Sequence, residues 1–162
     1  MDERRELLDL LLEDARASTA DLARQTGLSE AAVEEHIDDL EEAGAVRGYQ
    51  AVVDWDQLEE DHVEAFVELN VELDRETSYA DIAGRIAKFP EVRSLRLVSG
   101  EYDFAVVVAG DSMHTVSDFV SERVAPIPEI TQTVTHFVMD TYKERGILFG
   151  GDGDDDRLSV SP

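Results

Sequence analysis

Residues Ser18 to Arg47 read S-T-A-D-L-A-R-Q-T-G-L-S-E-A-A-V-E-E-H-I-D-D-L-E-E-A-G-A-V-R. Leu22, Ala23, Leu28, Val33, Ile37, Leu40 and Val46 recur at helical spacing, broken once at Gly27. The pattern predicts two short helices joined by a tight turn. Ser18 is placed to cap the first, with Asp21 three positions on, as in a capping box. Gly27 offers the left-handed conformation that closes a helix, and Ser29 offers a second N-cap.

A helix, a glycine turn and a second helix of this size describe a helix-turn-helix, whose second helix normally enters the DNA major groove. The charge opposes that reading. The solvent face of the second helix carries Glu30, Glu34, Glu35, Asp38, Glu41 and Glu42, and no Lys or Arg lies between Leu28 and Val46. Over residues 1–48, five arginines stand against fourteen acids, a formal charge of −9. DNA affinity comes largely from cations that neutralise phosphates. Contacts would then rest on Ser29, Ala31, Ala32 and His36 at base edges or thymine methyls, and on Arg24 and Arg47 at phosphate.

The whole chain repeats the theme. Its 162 residues carry a net charge of −24, and only Lys88 and Lys143 are lysines. Such a surface repels itself in dilute buffer. At about 1 M salt the Debye length falls to roughly 3 Å and the repulsion is screened. The acid is spread along every element, which favours a molar-salt cytoplasm, as in extreme halophiles, over an ordinary cell. The absence of cysteine excludes a disulfide framework and thiolate metal sites. No run approaches the ~20 apolar residues of a membrane span. The N-terminus reads as a charged helix rather than a signal peptide, so a cytoplasmic location is expected.

Ahead of the helix-turn-helix, Asp2 to Ala15 predicts a first helix, with Leu7, Leu8, Leu11 and Ala15 in one stripe and Leu12 beside it. Three helices in so short a segment bury little area, which calls for help from a partner subunit. Arg47 to Asp56 alternates like a strand, and an isolated strand seeks a partner chain. From His62 a period of two sets in over Val63 to Leu73. A helix capped by Thr77 or Ser78 follows and stops at Pro90. Strands are expected over Val92–Ser99 and Tyr102–Ala109, then a helix capped by Asp111 or Ser112 and ended by Pro126, then a strand over Ile130–Tyr142. The order βαββαβ is the ferredoxin-like split unit, with two helices on one face of an antiparallel sheet. The other face would expose a large apolar patch unless a second copy covers it, so at least a dimer is expected. The resulting fold class is α+β: a helix-turn-helix domain over residues 1–48, a strand linker over 49–61, a ferredoxin-like domain over 62–149, and an acidic tail over 150–162 with too little apolar surface to fold.

Three stretches carry a family resemblance: Asp21-Leu22-Ala23 with Gly27-Leu28-Ser29; Val33, Ile37 and Leu40-Glu41-Glu42 with Gly44 and Val46-Arg47-Gly48-Tyr49; and Gly100-Glu101-Tyr102-Asp103-Phe104. With this order of elements, the chain from Met1 to about Ile147 resembles the leucine-responsive regulatory protein/AsnC (Lrp/AsnC) family of transcription regulators, in its haloarchaeal branch. The resemblance implies double-stranded DNA as partner. It implies a dimer through the linker strand and the sheet, with assembly into tetramers or octamers, and a C-terminal domain of the RAM type. It also implies a small effector, usually an amino acid, bound near the turn Ser99, Gly100, Glu101, Tyr102 and Asp103. There Gly100 would let backbone approach a carboxylate, Asp103 would pair with an ammonium, and Thr131, Thr133 and Thr135 would add hydroxyls. Glu101 adds a negative charge that would disfavour acidic amino acids. Read on residues alone, the same turn is first a plain hairpin, with glycine at positive φ and Asp bonding its own backbone, and only the resemblance brings effector binding level with it. Members of the family commonly carry Arg or Lys where this chain has Glu34, Glu35, His36, Asp38 and Asp39.

No other chemistry stands out. His36, His62, His114 and His136 are scattered, without metal-ligand spacing, and there is no Gly-rich phosphate loop and no G-x-S-x-G. No catalytic residue, metal or cofactor is expected beyond the amino-acid effector. Two readings remain: a sequence-specific, oligomeric DNA-binding regulator, or a sensor that does not bind DNA and forms mixed oligomers with a more basic paralogue. An enzyme on the same scaffold is the weakest alternative, since fold alone is no evidence of function.

Overall fold

The computed structural model describes residues 3–150, so the acidic tail, apart from Gly150, lies outside the described residues. The chain divides into two units, Met1–Val53 with Lys143–Pro162, and Asp54–Tyr142.

In the first unit, α1 (Glu3–Glu13), α2 (Thr19–Thr26) and α3 (Glu30–Glu42) enclose a small core of Leu7, Leu22, Ala23 and Val33. Leu10, Leu11, Leu28 and Ile37 pack around it. Leu12 faces solvent. The caps form as the sequence foretells. The Ser18 hydroxyl accepts from the Asp21 N–H at 3.1 Å and the Ser29 hydroxyl from the Ala32 N–H at 3.2 Å. Gly27 takes φ +76° and returns its N–H to the Ala23 carbonyl. These three devices satisfy helix-end groups that would otherwise be orphaned, and they set the turn between α2 and α3. β5 (Lys143–Glu144) and β6 (Ile147–Leu148) form a hairpin absent from the sequence reading. Its two-residue turn has Arg145 and Gly146 both at positive φ, the hairpin geometry that matches strand twist.

The expected linker strand is not a strand in the single chain. Residues 47–54 pair with no strand, and a 3₁₀ turn follows at Trp55–Gln57. A ladder needs a partner, and among the described residues this chain offers none at that point. Tyr49 instead donates its hydroxyl to Glu41 on α3 at 2.8 Å. Trp55 stacks on His62, ring centres 4.0 Å apart.

The second unit is a four-stranded antiparallel sheet in the order β2-β3-β1-β4, built from β1 (Val63–Val71), β2 (Val92–Leu97), β3 (Phe104–Gly110) and β4 (Ile130–Phe137). One face is covered by α4 (Tyr79–Ile86) and α5 (Met113–Phe119). Ala65, Val67 and Leu69 of β1 and Phe104, Val106 and Val108 of β3 meet Ile82, Ile86, Val116 and Phe119 there. The opposite residues of each strand make the uncovered face. Phe66 lies opposite Val107 and His136, and Glu68 opposite Ala105 and Val134. Three elements differ from expectation. β1 stops at Val71, β4 stops at Phe137 rather than Tyr142, and the second helix passes into a π-turn over Val120–Val124. Its i→i−5 bond, Ala125 N–H to the Val120 carbonyl at 2.8 Å, is invisible to a 3.6-residue pattern.

Leu69 is fully buried at the centre of this core. Leu69→Ala should lower stability by about 2–5 kcal/mol, read from denaturant unfolding in molar KCl. The N-terminus of α4 gives a second expectation. The Ser78 hydroxyl and N–H both donate to the Asp81 carboxylate, at 2.6 and 2.8 Å, and with help from Arg85 hold its pKa below the usual carboxylate value. A carboxyl depressed on folding stabilises above its unfolded pKa, and that stabilisation is lost as pH falls through the folded value. The cap should therefore act fully at neutral pH and weaken below about pH 4. Ser78→Ala should raise the Asp81 pKa in a carboxyl NMR titration.

Candidate DNA interface and effector turn

α3 presents Glu30, Ala31, Glu34, Glu35, Asp38, Glu41 and Glu42 to solvent. Ala32 is half-buried, and the Ser29 hydroxyl is already engaged as the helix cap. His36 turns the other way. It is half-buried, its Nε2 lies 3.4 Å from a Glu3 carboxylate oxygen of α1, and its Nδ1 is buried without a partner. It therefore packs between α1 and α3, apart from Ala31. Helical spacing alone does not reveal this, because His36 sits at the border of the apolar stripe.

The arginines of this unit are mostly engaged by its own acids. Arg4 pairs with Asp39, Arg5 with Asp9 at 3.0 Å, and Arg24 with Asp21 at 2.6 Å. The guanidinium groups of Arg16 and Arg47 have no carboxylate partner among the described residues, although the Arg16 backbone N–H donates to Asp14 at 2.8 Å. The Arg47 guanidinium lies over Gly44, exposed just past the end of α3.

The loop 98–103 between β2 and β3 is held at both ends. The Val98 N–H donates to the Asp103 carbonyl, and the Asp103 N–H donates to the Leu69 carbonyl, both at 2.9 Å. The Asp103 carboxylate accepts the Val71 N–H at 2.9 Å, so one of the oxygens expected for an ammonium already serves the end of β1. Asn70 donates its side-chain amide to the Glu101 carbonyl at 2.9 Å, and Thr131 donates its hydroxyl to the Asn70 carbonyl at 3.3 Å. Asn70 was missed by the sequence reading. The only signal for it is an amide at the end of an alternating strand, where a β-bulge falls between Asn70 and Val71. Between the clamps, the N–H groups of Ser99, Gly100, Glu101 and Tyr102 make no hydrogen bond to a described residue, and Gly100 sits at φ +129°. Free N–H groups in succession suit an anion such as a carboxylate. Ser99, Gly100, Tyr102, Asp103 and Thr131 thus share one end of the sheet. Thr133 lies opposite Leu69 on the helix-facing side, and Thr135 opposite Val67.

Leu97 and Phe104, which flank this loop, also wall an open cavity of about 550 Å³ between α4 and β2, with Tyr79, Ala83 and Leu95 among its other walls. The uncovered sheet face begins beside the same loop. Tyr102 meets Phe66 edge-on at 6.0 Å, and Glu68 pairs with His136 at 3.3 Å. Among the described residues there is no cluster of three or more metal-ligating side chains, and no helix long and apolar enough to cross a membrane.

Residues 2–47 match the winged helix-turn-helix DNA-binding family, and residues 64–148 match the Lrp/AsnC ligand binding domain. Over 158 residues the chain is 35% identical to the uncharacterised HTH-type transcriptional regulator YugG of Bacillus subtilis, covering 97% of this chain and 95% of that one. The leucine response regulatory protein LrpA of Mycobacterium tuberculosis superposes with a TM-score of 0.74 at 27% identity, covering 90% and 96% of the two chains. A transcriptional regulator of Neisseria meningitidis solved with L-Met has the same fold, with a TM-score of 0.72 at 24% identity and coverage of 89% and 92%. Helix-turn-helix, ligand-binding domain and relatives agree across nearly the whole length: the chain belongs to the Lrp/AsnC family of DNA-binding transcription regulators.

Proposed function

We propose that the protein is a homo-oligomeric, cytoplasmic regulator that reads double-stranded DNA with α3 and senses an amino acid at the loop 98–103. The observation that carries the DNA half is the capped α2–Gly27–α3 turn, which keeps helix-turn-helix geometry despite the acidic surface. Ala31, Ala32 and Ser29 at the start of α3 would meet base edges. Arg47 and Arg24 would meet phosphate, and His36 would hold α3 against α1. The net charge of −24 suits a molar-salt, halophilic cytoplasm, where a short Debye length screens repulsion from DNA as well.

The effector half is supported by four free N–H groups beside Asp103 and Thr131, and by the L-Met complex of the Neisseria relative. The carboxylate would take the backbone donors, the ammonium the remaining Asp103 oxygen, and Thr133 would add a hydroxyl from the helix-facing side. The uncovered sheet face, with Phe66, Val107 and Val134 at its centre, is suited to a second copy, with the unpaired linker 49–61 joining that contact and tetramers or octamers built from the dimer. An effector alters DNA binding only if it binds two assembly states unequally. The acidic face of α3 favours one second reading, a sensor that borrows DNA contacts from a more basic paralogue in mixed oligomers.

Fluorescence anisotropy in molar KCl, with the protein's own upstream duplex and a scrambled control, separates these readings. Binding that prefers the upstream duplex is expected, and Arg47→Ala should weaken it while lowering the salt slope by about one. A folded oligomer that binds neither duplex would leave only the mixed-oligomer reading. For the effector, an L-amino-acid panel should shift DNA affinity or assembly size. Gly100→Val, forced into a left-handed backbone, should abolish that shift and leave effector-free DNA binding intact. Tight binding of glutamate or aspartate would contradict the role given to Glu101.

A further inference from the structure

We propose that Asn70 is the positioning residue of the effector loop: by holding the Glu101 carbonyl, its side-chain amide turns the Tyr102 N–H to the opposite side, where it selects ligands that carry a free carboxylate. The inference rests on the effector reading above and deepens it, giving a role to a residue outside the loop and naming the ligand group which that role selects.

Asparagine is depleted in strands, so its place near the end of β1 calls for a reason. β1 sends Ala65, Val67 and Leu69 to the helix-facing side, which leaves Asn70 on the side of Phe66 and Glu68. The ladder is irregular at that point. A β-bulge falls between Asn70 and Val71, and the Val71 N–H goes to the Asp103 carboxylate at 2.9 Å. The Asn70 carbonyl accepts the Thr131 hydroxyl of β4 at 3.3 Å, so the backbone here is held by groups other than the Asn70 side chain. That side chain is left to serve the loop, and its Nδ2 donates to the Glu101 carbonyl at 2.9 Å.

Within the loop this bond stands alone. Val98 and Asp103 are fixed by backbone hydrogen bonds at the two ends, and between them residues 99–102 make no other hydrogen bond to a described residue. The Glu101 carbonyl and the Tyr102 N–H belong to one planar trans peptide group, so they point in opposite directions. A carbonyl drawn to Asn70 therefore commits the Tyr102 N–H away from it. Released, the group can turn over, because opposed rotations about ψ of Glu101 and φ of Tyr102 leave the chain on either side in place. The turned group would show a carbonyl oxygen where the anion is to sit. Asn70 thus decides whether this part of the loop attracts or repels a carboxylate, without touching the ligand. A carboxylate only accepts hydrogen bonds, whereas a carboxamide both accepts and donates and so tolerates either setting of the peptide.

The test compares the full-length wild type with Asn70→Ala by calorimetric titration in molar KCl. The probes are the L-amino acids of the panel above and the carboxamide of each, and light scattering with denaturant unfolding checks assembly and fold. The expected result is an affinity about tenfold weaker for the amino acids that the wild type binds, as for one hydrogen bond to a charged group, with affinity for their carboxamides changed by no more than about twofold. Equal losses for acid and carboxamide would overturn the proposal and make Asn70 a structural support. Unchanged affinity for both would overturn it as well. A measurement on the wild type alone needs no variant. With isotope-labelled tyrosine the chain gives four backbone N–H signals, and that of Tyr102 should move when a binding amino acid is added. A Tyr102 signal that stays in place at saturation would overturn the assignment. If the wild type binds neither acids nor carboxamides, the effector reading fails and this inference with it; if it binds acids and the variant matches it, only this inference fails.

Discussion

Every element of this protein is arranged around electrostatic self-repulsion. With 38 acids against 14 basic residues, burying an acid without a partner would add desolvation to that repulsion, and no charged or polar residue is fully buried among those described. The cores are consequently small and wholly aliphatic or aromatic, and the acids are pushed to helix caps, helix outer faces and loop ends. There they act usefully: Asp21, Asp81 and Asp111 each bond a helix-capping hydroxyl or a neighbouring threonine. The same constraint explains why the arginines of the first unit turn to its own carboxylates. Each such pair is exposed and contributes little to stability, yet it removes a cation from the surface that would meet DNA.

The loop 98–103 shows how a site can be fixed without burial. Its two clamps draw on the whole sheet: β1 through Leu69, Asn70 and Val71, β4 through Thr131, and the ends of β2 and β3 that the loop joins. A change in the pairing of β1 with β4 therefore reaches the loop through one amide and one hydroxyl. The bulge at Asn70 and Val71 is what frees those groups from the ladder. Sheet geometry and loop geometry are thus a single variable, which is what a ligand needs if it is to bias assembly.

How much of this was legible in the sequence follows from the range of the forces involved. The caps at Ser18, Ser29 and Ser78 and the turn at Gly27 are local, and they read directly from residue type and spacing. The alternation of β1 and the apolar face of α4 are periodic, and they read almost as well. What failed to read was non-local or off-period. The π-turn at Val120 hides inside an apparently regular helical pattern. His36 stands at a stripe border, where a small difference in phase decides whether it faces α1 or solvent. Val71 and Asp103 meet only after the sheet closes, from positions 32 residues apart. The hairpin at Arg145–Gly146 was carried by a dipeptide too short to stand out.

The stack of Trp55 on His62 has a consequence of its own. Trp55 is the sole tryptophan of the chain, and its indole lies face to face with an imidazole at 4.0 Å, close enough for contact quenching of its excited state. It sits just past the boundary at Val53 and Asp54, in the segment that finds no strand partner within the chain. The protein therefore carries an intrinsic optical gauge at the start of its second unit. Emission from one residue brightens or dims as that segment changes its company, without any label being attached.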